Sequence, residues 1–220
     1  MWDKEIITML LEGTADTLYM TLMSTLFGYV LGLPMGIVLA VTDKEGIRPN
    51  GLIYKILDFI ANLIRSIPFL ILLILVIPVT KAIVGKSYGP GATVVPLVIA
   101  AAPFIARMVE SSLKEVDDGV VEAAMSMGAG TIQIIWKVLL AEARTSLLVG
   151  VTIAIGTILG YSAMAGVVGG GGLGDIAIRY GYYRYQTDIM LVTIVILVLL
   201  VQILQGAGML LSKKMDKRRA

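Results

Sequence analysis

Histidine and cysteine are both absent from this 220-residue chain, which limits the chemistry that it could perform. Thiolate nucleophiles, imidazole acid–base catalysis, disulfides and the usual zinc ligand sets are therefore excluded. The remaining polar residues form no nucleophile–base set and no metal-binding cluster along the sequence. We predict that the chain is not an enzyme and that it has no catalytic residue, no metal site and no cofactor of its own.

Two glycine-containing segments look like nucleotide-binding motifs, but neither has the required context. Gly85-Lys86-Ser87 matches the end of a phosphate-binding loop, whereas Thr80 stands where that loop has its first glycine. Gly169, Gly171 and Gly174 have dinucleotide-binding spacing only because they lie in a glycine-rich run, and no strand precedes them. We expect no nucleotide site in this chain, so any pumping activity must draw its energy from a partner chain.

Charged residues concentrate in the segment 107–144, which carries ten charges in 38 residues. Long loops without secondary structure are uncommon, so we predict that this segment is helical. Good helix formers dominate from Val120 to Met127, Gly128-Ala129-Gly130 provides a stop and a left-handed position, and Thr131 is a suitable N-cap for a second helix.

The second predicted helix has an apolar face. Its members recur at helical spacing and are Ile134, Ile135, Val138 and Leu139. A helix–turn–helix with apolar and charged groups could present a docking surface for another protein, or it could pack only on its own membrane spans. The residue pattern alone leaves both alternatives open.

The elements on either side of the segment 107–144, which must position it, are apolar. Hydrophobic residues make up 57% of the chain and charged residues 15%, with a mean hydropathy of +0.88, whereas a soluble domain has about 25% charged residues. An α-helix crosses a bilayer with about 20 residues. Five uncharged or nearly uncharged segments qualify as spans: 18–41, 59–80, 88–106, 146–168 and 189–212. We predict an all-α integral membrane protein, a single transmembrane domain over 1–220, with the segment 107–144 joining spans three and four.

Lysine and arginine are distributed unequally between the two sides of these spans. One side receives 13 of the 18 basic residues, and the other receives five. The tail contributes five of the 13, namely Lys213, Lys214, Lys217, Arg218 and Arg219. Because the basic side faces the cytoplasm, we predict an external N-terminus, a cytoplasmic C-terminus and a cytoplasmic helix–turn–helix.

An odd number of spans bears on the transport pathway. Five spans cannot form the 3+3 inverted repeat with which many carriers build a complete pathway in one polypeptide. We therefore expect the chain to pair with a second copy and to place the pathway at a two-fold interface. Gly28, Gly32 and Gly36 form a stripe of small residues that could serve that interface or could serve helix packing within one chain.

The sequence EAAMSMGAGTIQIIWKVLLA, residues 122–141, resembles the EAA loop of binding-protein-dependent ABC-importer permeases. Glu122, Ala123, Ala124 and Gly128 match the motif, Leu140 fits it, Val138 replaces an isoleucine, and Ala141 stands where a proline usually falls. In that family the loop seats in a groove of an ATP-hydrolysing subunit and transmits its closure. The resemblance therefore assigns ATPase coupling to Glu122, Ala123, Ala124, Gly128 and Leu140.

Three further segments resemble the methionine-importer permease subfamily. They are RSIPFLILLILVIP at 65–78, APFIARMVESSLKEVDDGVVEAA at 102–124 and GYSAMAGVVGGGGLGDIAIRYGYYRY at 160–185. The resemblance implies five spans, a homodimer in a prokaryotic plasma membrane, two copies of an ATP-binding subunit that carry the ATP and Mg, and an external substrate-binding lipoprotein. It implies no nucleic-acid partner.

The subfamily resemblance implies a gate or substrate path at the outer end of the fourth span. Met164 lies there beside Tyr161 and Ser162, and its polarizable thioether could contact a thioether substrate, although methionine in a span is more often a packing residue. The following glycine- and tyrosine-rich run is predicted to be an external re-entrant or surface loop. Tyrosines suit a membrane–water interface, and the same loop could touch a binding protein.

These observations predict a permease subunit of an ATP-driven importer that moves methionine or a related amino acid inward through a homodimer interface. The alternative is a passive channel or a stand-alone carrier for a small solute, in which the segment 107–144 is only structural. A membrane scaffold without a pathway is a third possibility. Flux without ATP, or the absence of any flux, would separate the three.

Overall fold

The computed structural model describes residues 3–215, and nearly all of them are helical. The α-helices in that range are α1 Lys4–Thr42, α2 Gly51–Ser66, α3 Phe69–Leu75, α4 Ile77–Val84, α5 Pro90–Lys114, α6 Asp118–Ser126, α7 Thr131–Ile134, α8 Leu140–Glu142, α9 Arg144–Ala165, α10 Gly172–Ile176 and α11 Thr187–Met215. Two π-helical segments, Ile135–Leu139 and Ala177–Tyr182, and a 3-10 turn, Gly166–Val168, join neighbouring helices. Lys217, Arg218 and Arg219 of the predicted basic tail lie outside the described residues.

Four helices in the described range are long and apolar enough to cross a bilayer: α1, α5, α9 with the turn that follows it, and α11. The pair α2 and α3 meets the same test together, although its axis bends by 104°, and it brings the number of candidate spans to five. The predicted all-α membrane protein is confirmed. Which side of the bundle faces the cytoplasm stays a prediction.

The predicted span 59–80 is not one helix. α2 ends at Ser66, Ile67 is extended (φ −84°, ψ 124°), and α3 begins after Pro68. Proline lacks an N–H and its ring disfavours the helical conformation of the preceding residue, which favours the break here. α1 and α5 nevertheless continue through Pro34, Pro96 and Pro103. α2 is thereby separated from α3 and α4, which continue into the bundle.

Helix α5 is longer than the predicted span 88–106. It continues through Lys114, so the irregular connection begins later than the predicted boundary at 107. The charges in its last two turns are paired within the helix, because Glu110 accepts from Arg107 at 2.7 Å and from Lys114 at 2.9 Å. Pairs at these spacings stabilise a helix rather than ending it.

The glycine stripe of α1 packs against α5 of the same chain. A Cβ on Gly32 would lie 2.7 Å from the Ala102 carbonyl oxygen, and one on Gly36 would lie 2.5 Å from the Ala106 carbonyl oxygen. Both distances are too short for any side chain, so glycine is required for this approach. The stripe is therefore used within the chain, and its possible role at a two-fold interface is excluded.

Both ends of the bundle are tied by polar contacts. At one end, Lys114 pairs with Asp43, the Ser112 and Ser146 hydroxyls are 2.9 Å apart, and the Ser212 hydroxyl donates to the Thr145 carbonyl at 3.4 Å. At the opposite end, the Gly89 N–H donates to the Gly169 carbonyl and the Leu173 N–H to the Thr17 hydroxyl, both at 2.9 Å. The ends of α1, α5 and α11 and the start of α9 thus share one side with the charged connection, as the charge distribution requires.

Candidate functional site

Residues 117–142 form a rigid corner that consists of helix α6, the turn after it and a second helix, 131–142. Asp117 caps α6 by accepting from the Gly119 N–H at 2.8 Å. At the other end, Gly128 has φ +82°, as predicted, while its N–H donates to the Met125 carbonyl at 2.9 Å and the Ala129 N–H donates to the Ala124 carbonyl at 3.0 Å. These two bonds constitute a Schellman motif, in which glycine is favoured at the left-handed position.

The second helix of the corner begins one residue earlier than predicted. Gly130, not Thr131, occupies the N-cap position, and Thr131 is the first helical residue. The Gln133 side chain accepts from the Gly130 N–H at 3.1 Å. A side chain three residues into the helix therefore satisfies the N-cap amide, and no capping hydroxyl is required.

The predicted apolar face of this helix packs on the bundle, which is one of the two alternatives that the residue pattern left open. Ile134 and Leu139 are buried, whereas Ile135 and Val138 are partly buried against the same cluster. The cluster also includes Leu113 and Val116 at the end of α5, and Ala143 before α9. The corner 117–142 is therefore attached by its inner face to both long helices that it connects.

The five predicted coupling residues divide between two sides of the corner. Ala124 is buried and Leu140 is half-buried, and both contact the core cluster. Glu122, Ala123 and Gly128 are exposed. The inner pair holds the corner in place, while the outer three are accessible to another molecule.

Sequence reasoning missed the large apolar side chains that the corner exposes, namely Val120, which is 43% exposed, and four others. Their exposed fractions are 43% for Met125, 82% for Met127, 73% for Ile132 and 65% for Trp136. Ile132 and Trp136 are four residues apart and lie opposite the buried Ile134, and this spacing was the signal that could have found them. Exposed apolar side chains beside the exposed Glu122 are typical of a protein-binding surface.

The predicted gate residues do not converge on one point within a single chain. Ser162 is buried, and its hydroxyl donates to the Leu159 carbonyl at 2.8 Å. The Tyr161 ring stacks on Phe69 of α3, with centroids 4.5 Å apart and planes 4° from parallel. Met164 is 52% exposed on the surface of α9. Of these three residues, Met164 offers the most exposed side chain to a ligand or a second chain, Tyr161 is half-buried and Ser162 is buried.

The predicted external loop is mostly helical. α10 lies against α1 and α9, and the π-helical segment after it lies against α11. Gly172 takes a positive φ of 76°, where a Cβ would meet Thr17 and Met20. Tyr182, Tyr183 and Tyr185 are exposed. The glycines allow a close approach of backbone segments, so the run is a packed element that carries tyrosines at its edge.

A charged cluster joins α1, α2 and α5 near the corner. Glu110, only 4% exposed, accepts from Arg107, from Lys114 and from the Tyr54 hydroxyl at 3.1 Å. Arg107 also pairs with Asp58 of α2. Hydrogen bonding by Lys114 lowers the pKa of Asp43, which follows α1. This cluster fixes the position of α2 relative to the corner.

Neither glycine-containing segment lies in the structural context that a nucleotide-binding motif requires. Gly85-Lys86-Ser87 lies in the short link between α4 and α5, and residues 3–215 contain no strand that could precede a phosphate-binding loop. Within that same range, no three acidic side chains come close enough together to hold a metal ion.

Residues 32–217 match the family of binding-protein-dependent transport system inner membrane components. The chain is 52% identical over 210 residues to the probable D-methionine transport system permease protein MetI of Vibrio cholerae, covering 96% of this chain and 93% of that protein. It is 44% identical over 212 residues to the methionine import system permease protein MetP of Bacillus subtilis, covering 96% of each.

Solved structures agree with these sequence matches. A chain of the inward-facing MetNI methionine ABC transporter superposes with a TM-score of 0.96 at 45% identity, and the match covers 98% of this chain and all of that one. A chain of an amino acid ABC transporter crystallised with histidines superposes with a TM-score of 0.80 at 19% identity, which shows a common fold only.

Proposed function

Because this chain belongs to the family of binding-protein-dependent transport system inner membrane components, we propose that it is the permease subunit of an ATP-driven ABC importer that moves methionine inward. The observation that carries the proposal is its superposition, over nearly its full length, on a chain of the MetNI methionine ABC transporter. As a membrane permease, the chain supplies the pathway and not the hydrolysis. ATP and Mg belong to a separate subunit.

The corner 117–142 is the proposed docking point for that ATP-binding subunit. Its outer surface offers exposed Glu122 and Gly128 together with the large apolar side chains of Met127, Ile132 and Trp136. Its inner face is packed against α5 and the start of α9. Movement of a docked subunit would therefore move both helices, because the corner is held by buried contacts rather than by a flexible linker.

The energetic requirement for such a switch is modest. Moving a two-state equilibrium from 1:99 to 99:1 needs about 5.5 kcal/mol of differential binding. Closure of two ATP-binding subunits, one on each permease copy, would supply it by binding one arrangement of the corners more tightly. A stand-alone carrier would have no comparable use for an exposed apolar surface on the corner.

The pathway is proposed to lie between two copies of the chain, beneath an external substrate-binding lipoprotein. Met164, exposed on α9, is the residue best placed to close it or to contact the substrate thioether. Tyr161 and Ser162 hold the surrounding backbone, through the stack on Phe69 and the bond to the Leu159 carbonyl. The glycine- and tyrosine-rich external surface is the proposed contact for the lipoprotein.

Reconstitution tests this function directly. The chain is purified with its ATP-binding subunit, placed in lipid vesicles with the binding protein outside, and supplied with radiolabelled methionine and with ATP on the subunit's side. We expect accumulation that requires ATP, the binding protein and both subunits. Uptake by the chain alone without ATP would favour the passive carrier, and no uptake under any condition would favour a scaffold.

A further inference from the structure

Helix α2 has an apolar face that nothing in residues 3–215 covers. Leu52, Ile56, Phe59 and Leu63 recur at helical spacing, and their side chains are 72%, 52%, 66% and 52% exposed. Ala61, on the opposite side of the helix, is fully buried. The helix is thus attached by one face and open on the other.

The attached face shows that α2 crosses α5 rather than running alongside it. Tyr54 and Asn62 are eight residues, about 12 Å, apart along α2. They contact Glu110 at 3.1 Å and Arg107 at 3.2 Å, which are only three residues, about 4.5 Å, apart along α5. Glu110 lies four residues, about 6 Å, before the end of α5. α2 therefore stays near one end of the bundle along its length.

The following helices cover most of the hydrocarbon layer without α2. The 104° bend turns the chain into α3 and α4, which span 69–84, about 24 Å of helix. The hydrocarbon layer is about 30 Å thick. The 16 residues of α2 would add about 24 Å along the same axis, far more than the remaining distance of about 6 Å, and the bend directs them elsewhere.

The charges around α2 match an anionic lipid surface. Lys44, Arg48, Lys55 and Arg65 lie before, within and at the end of the helix, and none of them takes part in an ion pair in the described structure. Of the neighbouring acids, Asp43 and Asp58 are already paired with Lys114 and Arg107, so only Glu45 offsets the four cations among the described residues. A helix with an apolar face and flanking unpaired cations is typical of one that lies in a membrane interface.

We propose that α2 is an interfacial helix whose Leu52–Ile56–Phe59–Leu63 face is inserted between the headgroups and acyl chains of the anionic leaflet on the corner's side of the bilayer. The proposal does not depend on the transported substrate. Only the naming of that leaflet as cytoplasmic rests on the predicted orientation.

Spin-label depth measurements test the proposal, because the natural chain contains no cysteine. Single variants Leu52→Cys, Ile56→Cys, Phe59→Cys and Leu63→Cys are labelled in the complex with the ATP-binding subunit and reconstituted into vesicles that contain phosphatidylglycerol. Depth is read from collisions with oxygen and with a water-soluble nickel complex. We expect all four labels within about 5 Å of one depth, in the interfacial region.

The matched control is α11, whose exposed residues Leu191, Val195, Val198 and Ile203 span a similar length. Labels there should change depth by about 1.5 Å per residue, up to the bilayer centre. The same gradient on α2, about 16 Å from Leu52 to Leu63, would refute the proposal. So would labels on α2 that neither collider reaches, since a second copy of the chain would then cover the face.

The lipid charge is tested with the same labelled proteins. In vesicles of phosphatidylcholine alone, we expect the labels at Leu52 and Ile56 to become shallower, because the attraction of the flanking cations is lost. Unchanged depths in the two lipids would overturn the electrostatic part of the proposal.

Discussion

At the scale of single residues, Gly128 is a position where the effect of a substitution depends on backbone conformation alone. Its φ is +82° and a Cβ there would meet nothing within 4 Å, so a substitution would cause strain without a clash. A β-branched residue in the left-handed region costs about 1–2 kcal/mol. We expect Gly128→Thr to reduce methionine uptake and stimulation of the ATPase about five-fold or more, measured in reconstituted vesicles.

Gly130 provides the matched control for this prediction. It also has open space around it, but its φ is −72° and it occupies an N-cap, where threonine is acceptable. Gly130→Thr should therefore retain most of the activity. Equal losses in the two variants, or normal coupling in Gly128→Thr, would show that the left-handed turn is not needed.

Asp43 gives the cluster at the end of α1 a defined pH dependence. Its pKa is lowered, chiefly by hydrogen bonding from Lys114. A carboxyl group with a lowered folded-state pKa stabilises the fold fully above its unfolded pKa of about 4, and this stabilisation is lost as the pH falls through the lower folded value.

The prediction is a comparison of wild type with Asp43→Asn. The wild type should be more stable by about 0.2–1 kcal/mol at pH 7, and the difference should persist down to about pH 4 and shrink below it. Thermal unfolding of the two proteins in detergent, at several pH values between 3 and 7, measures this difference in stability. The other carboxylates are common to both proteins, so their contributions cancel. A difference that vanishes near neutral pH would assign the effect to another group.

At the scale of elements, the contact between α1 and α5 depends on glycine. Leucine at Gly32 would meet the Ala102 carbonyl at 2.7 Å and Ile105 at 2.8 Å, so the helices would have to separate. We expect Gly32→Leu to destabilise the chain by about 1–3 kcal/mol and to lower the recovery of monodisperse complex. Gly206→Leu on α11, where a Cβ meets nothing within 4 Å, should be tolerated. A tolerated Gly32→Leu would show that the two helices do not require this approach.

The elements also show what local sequence can and cannot predict. The long uncharged runs predicted α1, α5, α9 and α11, and the glycines predicted the turn at Gly128, because both features are local. The break before Pro68 also has a local cause, but the span 59–80 was predicted from hydropathy, which does not detect helix breaks. By contrast, the pairing of Asp58 with Arg107 joins residues 49 positions apart, so it required the assembled bundle.

The candidate site divides in the same way. The predicted apolar face of the second corner helix is buried, but its exposed opposite face, with Trp136, was not predicted, because a mostly apolar helix does not reveal which face packs inward. The gate residues were predicted from a family resemblance. Their separate environments depend on the stack between α3 and α9, which no local pattern encodes.

At the scale of the whole molecule, the two functional regions lie at opposite ends of α9. Met164 is 20 residues, about 30 Å, from Arg144, where the corner joins the helix. A movement of the corner could reach Met164 through α9, which joins the two, or through α5, whose N-cap Gly89 bonds to Gly169 just beyond α9. Movement of α9 would carry the Phe69–Tyr161 stack, and hence α3, with it.

This geometry makes a prediction about two copies of the chain. If α9 faces its counterpart, Met164→Cys on the two copies should form a disulfide or short cross-link, and its yield should differ between nucleotide-free and ATP-trapped complexes. Leu199→Cys on α11, similarly exposed at 53% against 52%, should face lipid and give no cross-link. Denaturing gels of the labelled complex measure both yields. Cross-linking through Leu199 alone would show that the pathway does not lie at α9. A Met164 yield that does not respond to ATP would show that the corner does not control a gate at Met164.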